Sequence, residues 1–217
     1  MRTGILHLLA ALAASSCMAI AAELPKPDTD GCIPLFNGKD LTGWNGDPNV
    51  WSVKDGAIVG KAESVAHNTF LIYELPFTNF VLKAKMMIVK GNGFAGNSGI
   101  QYRSKVLDPK EWIVGGYQAD AAPGYWGALY EERGRGVLWK PSPDATKTAK
   151  NYDEWNSYEI TANGHVVKEI LNGVLGGELN DTNETKRADS GVIALQYHAP
   201  GKSFEARFKD IRIQILP

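Results

Sequence analysis

Between Phe80 and Ile88 the apolar side chains Phe80, Leu82, Ala84, Met86 and Ile88 fall at every second position, with Lys83 and Lys85 between them. A period of two puts these five on one side of an extended strand. Trp155, Ser157 and Glu159 alternate in the same way with Asn156, Tyr158 and Ile160. Near the C-terminus Phe204, Ala206 and Phe208 share one parity, and Ile211, Ile213 and Ile215 the other. A slip of one residue around Lys209-Asp210, as in a β-bulge, would keep both triplets on the core; a bend between two sheets is the alternative.

Turn signals separate these segments: Asn37-Gly38, Asn45-Gly46, Asp55-Gly56, Asn92-Gly93, Asn163-Gly164 and Asn172-Gly173. Such dipeptides accept positive φ and close hairpins. No stretch keeps a helical period over a dozen residues, and no internal repeat is present. The pattern predicts an all-β chain folded as a two-sheet β-sandwich or jelly roll. Ala121 to Lys150 is the longest stretch without periodicity, rich in Gly, Pro and charge, and reads as a long functional or flexible loop.

The first residues set the expected compartment. Arg2, the apolar run Ile5 to Ala14 and the small-x-small site Ala19-Ile20-Ala21 read as a signal peptide over residues 1–21. Residues 22–31, with Leu24-Pro25-Lys26-Pro27-Asp28, read as a linker, and residues 32–217 as one domain. The expectation is export to the periplasm or the extracellular space, with no transmembrane span. Lipid anchoring at Cys17, after Ala14-Ser15-Ser16, is the alternative. Removal or lipidation of Cys17 leaves Cys32 alone, so the mature chain forms no internal disulfide; Cys32 reads as a small buried apolar residue.

Composition narrows the partner. The chain has 217 residues, 44% of them hydrophobic, enough for one substantial core. A formal net charge of -1 argues against nucleic acid and against adhesion to anionic lipid, which need a Lys/Arg excess. A neutral or weakly charged partner fits better.

Three strand-like segments carry polar residues of a particular kind. Gln101 and Arg103 share a face in Ser98–Arg103, as do Gln118 and Asp120 in Tyr117–Asp120, and Gln196 and His198 in Val192–His198. Planar amides and a guanidinium offer donors and acceptors at fixed spacing, matching paired sugar hydroxyls. Trp126, Tyr130 and Trp139 supply aromatic surface for the apolar face of a pyranose. The competing reading is a merely solvated sheet face, since alternation alone does not show that the three faces adjoin.

Several longer motifs carry a family resemblance. Phe36–Trp44 (FNGKDLTGW) opens the domain, followed by Trp51–Gly60 (WSVKDGAIVG), Asn97–Arg103 (NSGIQYR), Gly115–Asp120 (GGYQAD), Gly127–Gly136 (GALYEERGRG), Glu154-Trp155-Asn156, Leu171-Asn172-Gly173 and Gly191–His198 (GVIALQYH). In this order and spacing the chain, from Cys32 to Leu216, resembles the 3-keto-disaccharide hydrolase family. The resemblance implies a sandwich of the concanavalin A-like lectin/glucanase type with a concave, sugar-binding sheet. It also implies action on glycosides already oxidised at C3 of a glucosyl unit. At Gln118 the chain departs from members that place a Glu directly after the Tyr.

A C3 ketone acidifies the C2 proton, so the glycosidic bond can break by elimination. The site then needs a base at C2, electrophilic help at the C3 oxygen and an acid for the leaving oxygen. Expected roles follow: His198 as base, Asp120 or Glu132 as orienting group or acid, and Arg103 on the enolate. Gln101, Gln118, Tyr130, Arg133, Trp139 and Gln196 are the expected substrate-binding residues. Alternatively His198, Asp120 and Glu132 could ligate a divalent metal ion, although no compact ligand spacing supports one. Glu131 and Glu132 are adjacent, so on a strand they point to opposite faces and do not form a glycosidase carboxylate pair. If the Glu131–Gly136 run is a loop, Arg133 and Arg135 could close over the ligand. Residues 91–96 (GNGFAG) spell Gly-x-Gly-x-x-Gly but lead into the strand-like Ser98–Arg103 segment and not into a helix. They are not read as a dinucleotide fingerprint, and the ketone would come from a separate 3-dehydrogenase or other oxidoreductase. Two further readings remain: a non-catalytic carbohydrate-binding module, and a hydrolase of unoxidised glycans.

Overall fold

The alternating run from Phe80 becomes the central strand β6 (Phe80–Val89), and its five apolar positions are all buried. The computed structural model describes residues 24–91, 96–199 and 204–217. The signal-peptide and Cys17 expectations, and the Asn92-Gly93 turn, lie outside those residues.

Two antiparallel sheets pack face to face. One contains β1 (Ile33–Pro34), β3 (Trp51–Lys54), β4 (Ala57–Lys61), β6, β11 (Asn156–Asn163), β12 (Val166–Leu171), β13 (Val174–Asn180) and β15 (Glu205–Ile215). Its order is β13-β12-β11-β6-β15-β4-β3, with β1 pairing on β15. The other contains β2 (Trp44–Asn45), β5 (Thr69–Phe77), β7 (Ser98–Asp108), β8 (Ile113–Ala121), β9 (Leu129–Glu132), β10 (Gly136–Trp139) and β14 (Gly191–Tyr197). Its order is β10-β9-β8-β7-β14-β5-β2.

The core lies between the sheets. Phe80, Leu82, Met86, Phe208 and Ile213 face Ile100, Tyr102, Tyr117, Ile193, Leu195 and Tyr197. Burial alternates along β6, β11 and β12, as their sequences demand, whereas β5, β7, β8 and β14 are buried on both faces over part of their length. In β15 the register slips between Lys209 and Arg212, with Asp210 at φ 54°. The bulge keeps Phe208, Ile211 and Ile213 buried, but the strand frays by Ile215, which is 49% exposed.

The stretch Ala121–Lys150 is more ordered than its sequence suggests. It holds the β9–β10 hairpin and a short helix α1 (Pro143–Thr148), whose Ser142 Oγ caps the Ala145 N–H. Four-residue strands put only two side chains on each face, too few for a visible period. Cys32 is buried, and no helix among the described residues is long and apolar enough to cross a membrane.

Polar groups tie the sheets across the core. Tyr102 Oη donates to Glu169 Oε1 at 3.0 Å, and Tyr158 Oη donates to the Asp120 carbonyl at 2.5 Å. The second link anchors the backbone of β8 behind the cavity described next.

Candidate functional site

The inward parity of β7, β8, β9 and β14 is taken by core residues, so the other parity faces out of the sandwich. That outer face of the seven-stranded sheet divides in two. Phe70, Ile72, Val114 and Ala194 form a small dry cluster under Val106, Trp112 and Val192. Beside it, Gln118 and Asp120 from β8, Tyr130 and Glu132 from β9, and Gln196 and His198 from β14 and its end converge on a cavity of about 360 Å³. Larger depressions exist. In one of about 520 Å³ on the opposite sheet, Lys83 pairs with Glu159 and Lys85 with Asp210. The smaller cavity gathers Asp120, Glu132 and His198, none of which is in an ion pair among the described residues.

Its two carboxylates are held differently. Glu132 accepts at both oxygens, from Asn68 Nδ2 at 3.1 Å and Gln196 Nε2 at 3.3 Å. Among the described residues Asp120 accepts only at Oδ1, from the Ala121 N–H at 2.9 Å and Gln118 Nε2 at 3.3 Å. Burial lifts Asp120 to about 7, reinforced by the nearby Glu132 charge and opposed by those two donors. Burial also raises Glu132, with the Asn68 bond, the Arg133 charge and the Gln196 bond pulling the other way. Burial lowers His198, partly offset by the Ala199 backbone.

Unmet hydrogen-bonding capacity collects at the same place. Among the described residues six buried side-chain polar atoms lack a partner, and Asn97 Oδ1, Gln196 Oε1 and His198 Nδ1 all belong to the cavity lining. Buried polar atoms are normally satisfied, so three unmet atoms at one cavity set it apart among the described residues. No group of three or more His, Cys, Asp or Glu side chains is disposed to hold a metal ion among the described residues, Asp120, Glu132 and His198 included.

Other expected site residues lie elsewhere. Arg103 does not share the face of Gln101. A register shift after Tyr102, with Arg103 at φ 47°, turns its guanidinium to the end of the sandwich. There it donates to the Thr78 and Gly164 carbonyls at 2.7 Å and to Asn79 Oδ1 at 3.1 Å. Gln101 is on the cavity side but fully buried beneath Gln118. A shift between Val137 and Trp139 leaves Val137 on the cavity and sends the Trp139 indole to the Gly127 carbonyl. Arg133 sits at the β9–β10 turn beside a separate groove, not in the cavity. Arg135 does not close over it either, being committed to Glu131 and Asp181. Trp126 is in the core, stacked on Tyr158, while its neighbour Tyr125 is the aromatic that lines the cavity.

Asn68, Asn97, Tyr125 and Val137 are the lining residues not expected from the sequence. Tyr125 lies in a turn, where alternation gives no parity; Asn68 precedes β5 and reaches the site by folding alone.

Comparison with known proteins places this geometry. A 3-keto-disaccharide hydrolase of Bacteroides thetaiotaomicron is 30% identical over 158 residues, covering 61% of this chain and 53% of that protein. The chain thus spans about half the length of the curated relative it matches. A candidate glycosyl hydrolase from Parabacteroides distasonis superposes with TM-score 0.64 at 24% identity, covering 87% of this chain and 95% of the other. A carbohydrate-binding module, CBM66, from Bacillus subtilis gives TM-score 0.61 at 17% identity, covering 79% and 95%. These two likenesses establish the concanavalin-like sandwich. The family model of the 3-keto-alpha-glucoside-1,2-lyase-like domain matches residues 31–214. On that match, over nearly all of the described sandwich, the chain belongs to the 3-keto-alpha-glucoside-1,2-lyase-like family.

Proposed function

We propose that the cavity cleaves glycosides whose glucosyl unit carries a ketone at C3, by elimination followed by hydration. One observation carries this reading: burial pushes two groups of one cavity in opposite senses, Asp120 up to about 7 and His198 below its ordinary 6.5. At neutral pH the cavity therefore presents a carboxylic acid proton and a neutral imidazole together, the pairing that acid–base cleavage needs. The family's lyase-like character and the hydrolase named among its relatives agree with the elimination and hydration halves of this reaction.

His198 takes the C2 proton. The electron pair moves through C2–C1 as the C1–O bond breaks, and the Asp120 proton goes to the leaving oxygen. Water then adds at C1 and a proton returns to C2, giving a net hydrolysis. Glu132, held at both oxygens, stays in place as a fixed acceptor. With Arg103 elsewhere, Tyr130 and the Asn97 amide are the neutral donors left for the C3 oxygen. Gln118 and Gln196 face the hydroxyls, and Tyr125 offers an aromatic face at the rim.

A separate oxidoreductase supplies the ketone in this scheme, and export through the N-terminal leader brings the domain to its glycan. Product formed in D2O carries deuterium at C2 if the route is elimination; direct displacement at C1 leaves C2 protonated. The second reading is a carbohydrate-binding module, favoured by the likeness to CBM66. Binding alone has no need of two oppositely shifted titratable groups.

A further inference from the structure

A directed chain of hydrogen bonds runs beneath the cavity floor and ends on Asp120. Ser104 Oγ donates to Gln101 Oε1 at 2.7 Å, Gln101 Nε2 donates to Gln118 Oε1 at 2.7 Å, and Gln118 Nε2 donates to Asp120 Oδ1 at 3.3 Å. Ser104 is 1% exposed and Gln101 0%, so neither touches a ligand in the cavity.

The chain is built into the backbone. A Cβ on Gly99 would lie 2.6 Å from Gln118 Cγ, and one on Gly116 would lie 2.7 Å from Ser104 Oγ. Both glycines sit on the strands that carry the chain, and each makes room for one of its members. Burying two amides and a hydroxyl on a sheet face is costly unless all are paired, and an apolar filling would serve stability as well.

The direction of the chain has a consequence for Asp120. The Ser104 hydroxyl, which also lies 3.3 Å from the Tyr102 carbonyl, donates at the shorter distance to the Gln101 oxygen, and the Gln101 NH2 faces Gln118. Gln118 must then present its oxygen to Gln101 and its NH2 to Asp120. Together with the Ala121 N–H, this fills Oδ1 with two donors, and no hydrogen bond among the described residues occupies Oδ2. Were the chain reversed, an amide oxygen would face Asp120 and demand a proton on Oδ1.

We propose that Ser104 and Gln101 are positioning residues, which act through Gln118 to fix Asp120 Oδ1 as an acceptor and leave Oδ2 alone to exchange a proton with the substrate. This rests on reading the cavity as a proton-transfer site. The other groups facing Asp120 are Glu132 and Tyr130 of β9, His198 beyond β14, and, through the core, Tyr158 of β11 and Glu169 of β12. None of them belongs to the relay.

Two variants test it. Ser104→Ala frees the Gln101 amide to turn, and Gln101→Leu removes the link while keeping the volume close. Losing a donor to the ionised form raises a carboxyl pKa. The 13C carboxyl titration of Asp120 therefore moves to higher pH in both variants. The alkaline limb of the rate profile follows it, and the plateau rate on a 3-keto-glucoside falls about tenfold, a modest part of what a general acid supplies. A purely structural role lowers the melting temperature and leaves the titration unmoved, which overturns the proposal. The NMR titration decides the relay even if the wild-type protein cleaves no keto-sugar, an outcome that sinks the reading of the site instead.

Discussion

Asp120 and Glu132 face one cavity from the adjacent strands β8 and β9, yet only Glu132 has both oxygens engaged, by Asn68 and Gln196. The free oxygen of Asp120, and its pKa of about 7, separate an acid that can give up a proton from an acceptor that stays fixed.

Asp120→Asn removes the acid and nearly preserves shape. Turnover of a 3-keto-glucoside should fall by about 10²- to 10⁴-fold, while calorimetric affinity for the same sugar changes by less than about threefold, since one hydrogen-bond acceptor remains. Equal losses in rate and affinity would indicate that Asp120 mainly binds.

The same substitution has a stability signature. A carboxyl whose folded pKa is raised binds its proton more tightly when folded, so its contribution is present at low pH and lost as pH rises toward 7. The window runs from the ordinary carboxyl value of 3.8 to about 7 and corresponds to roughly 4 kcal/mol at most. Asp120→Asn is therefore more stable than wild type at pH 8 and no more stable at pH 4, as denaturant titrations at the two pH values will read.

A bell-shaped rate profile follows from the two shifts. Activity falls above about pH 7 as Asp120 loses its proton, and falls at low pH as His198 gains one, at a pH below its ordinary 6.5. His198→Gln should abolish the acid limb along with most of the rate. An acid limb that persists in residual activity would assign the base elsewhere.

Arg103 has a structural task at the sandwich end. Arg103→Met orphans the Thr78 and Gly164 carbonyls and Asn79 Oδ1, and should cost about 2–4 kcal/mol of stability. KM and kcat per folded molecule should stay near wild type at a temperature where the variant is folded. A selective loss of kcat would return Arg103 to the chemistry.

Arg135 is the sharper stability test. It bridges Glu131 and Asp181, whose side chains are 9% and 4% exposed. Arg135→Ala strands both carboxylates and should destabilise by about 3–5 kcal/mol, measured by denaturation, with no change in sugar affinity.

The sandwich was legible because its strands are long enough for a period of two to show, as in β6, and because Asn-Gly and Asp-Gly pairs mark the turns. Even the slip at Lys209-Asp210 is visible as two apolar triplets of opposite parity. The polar faces of β8 and β14 read correctly for the same reason, and Gln118, Asp120, Gln196 and His198 meet at one cavity. Extrapolating parity failed wherever a bulge intervened. Arg103 and Trp139 each follow a register shift, and one slipped residue sends a side chain to the other side of its sheet. Tyr125 and Trp126 exchanged roles because a turn has no alternation to read. The relay from Ser104 was hidden for a further reason: nothing in a sequence distinguishes a buried glutamine from a solvated one.

Product analysis on a 3-keto-glucoside beside its unoxidised parent, with and without chelator, tests the central claim most directly. The account predicts cleavage of the keto form and none of the parent, and the chelator arm reads whether a divalent ion takes part. Cleavage of the parent at a similar rate, or tight binding of the keto form with no product, would contradict it.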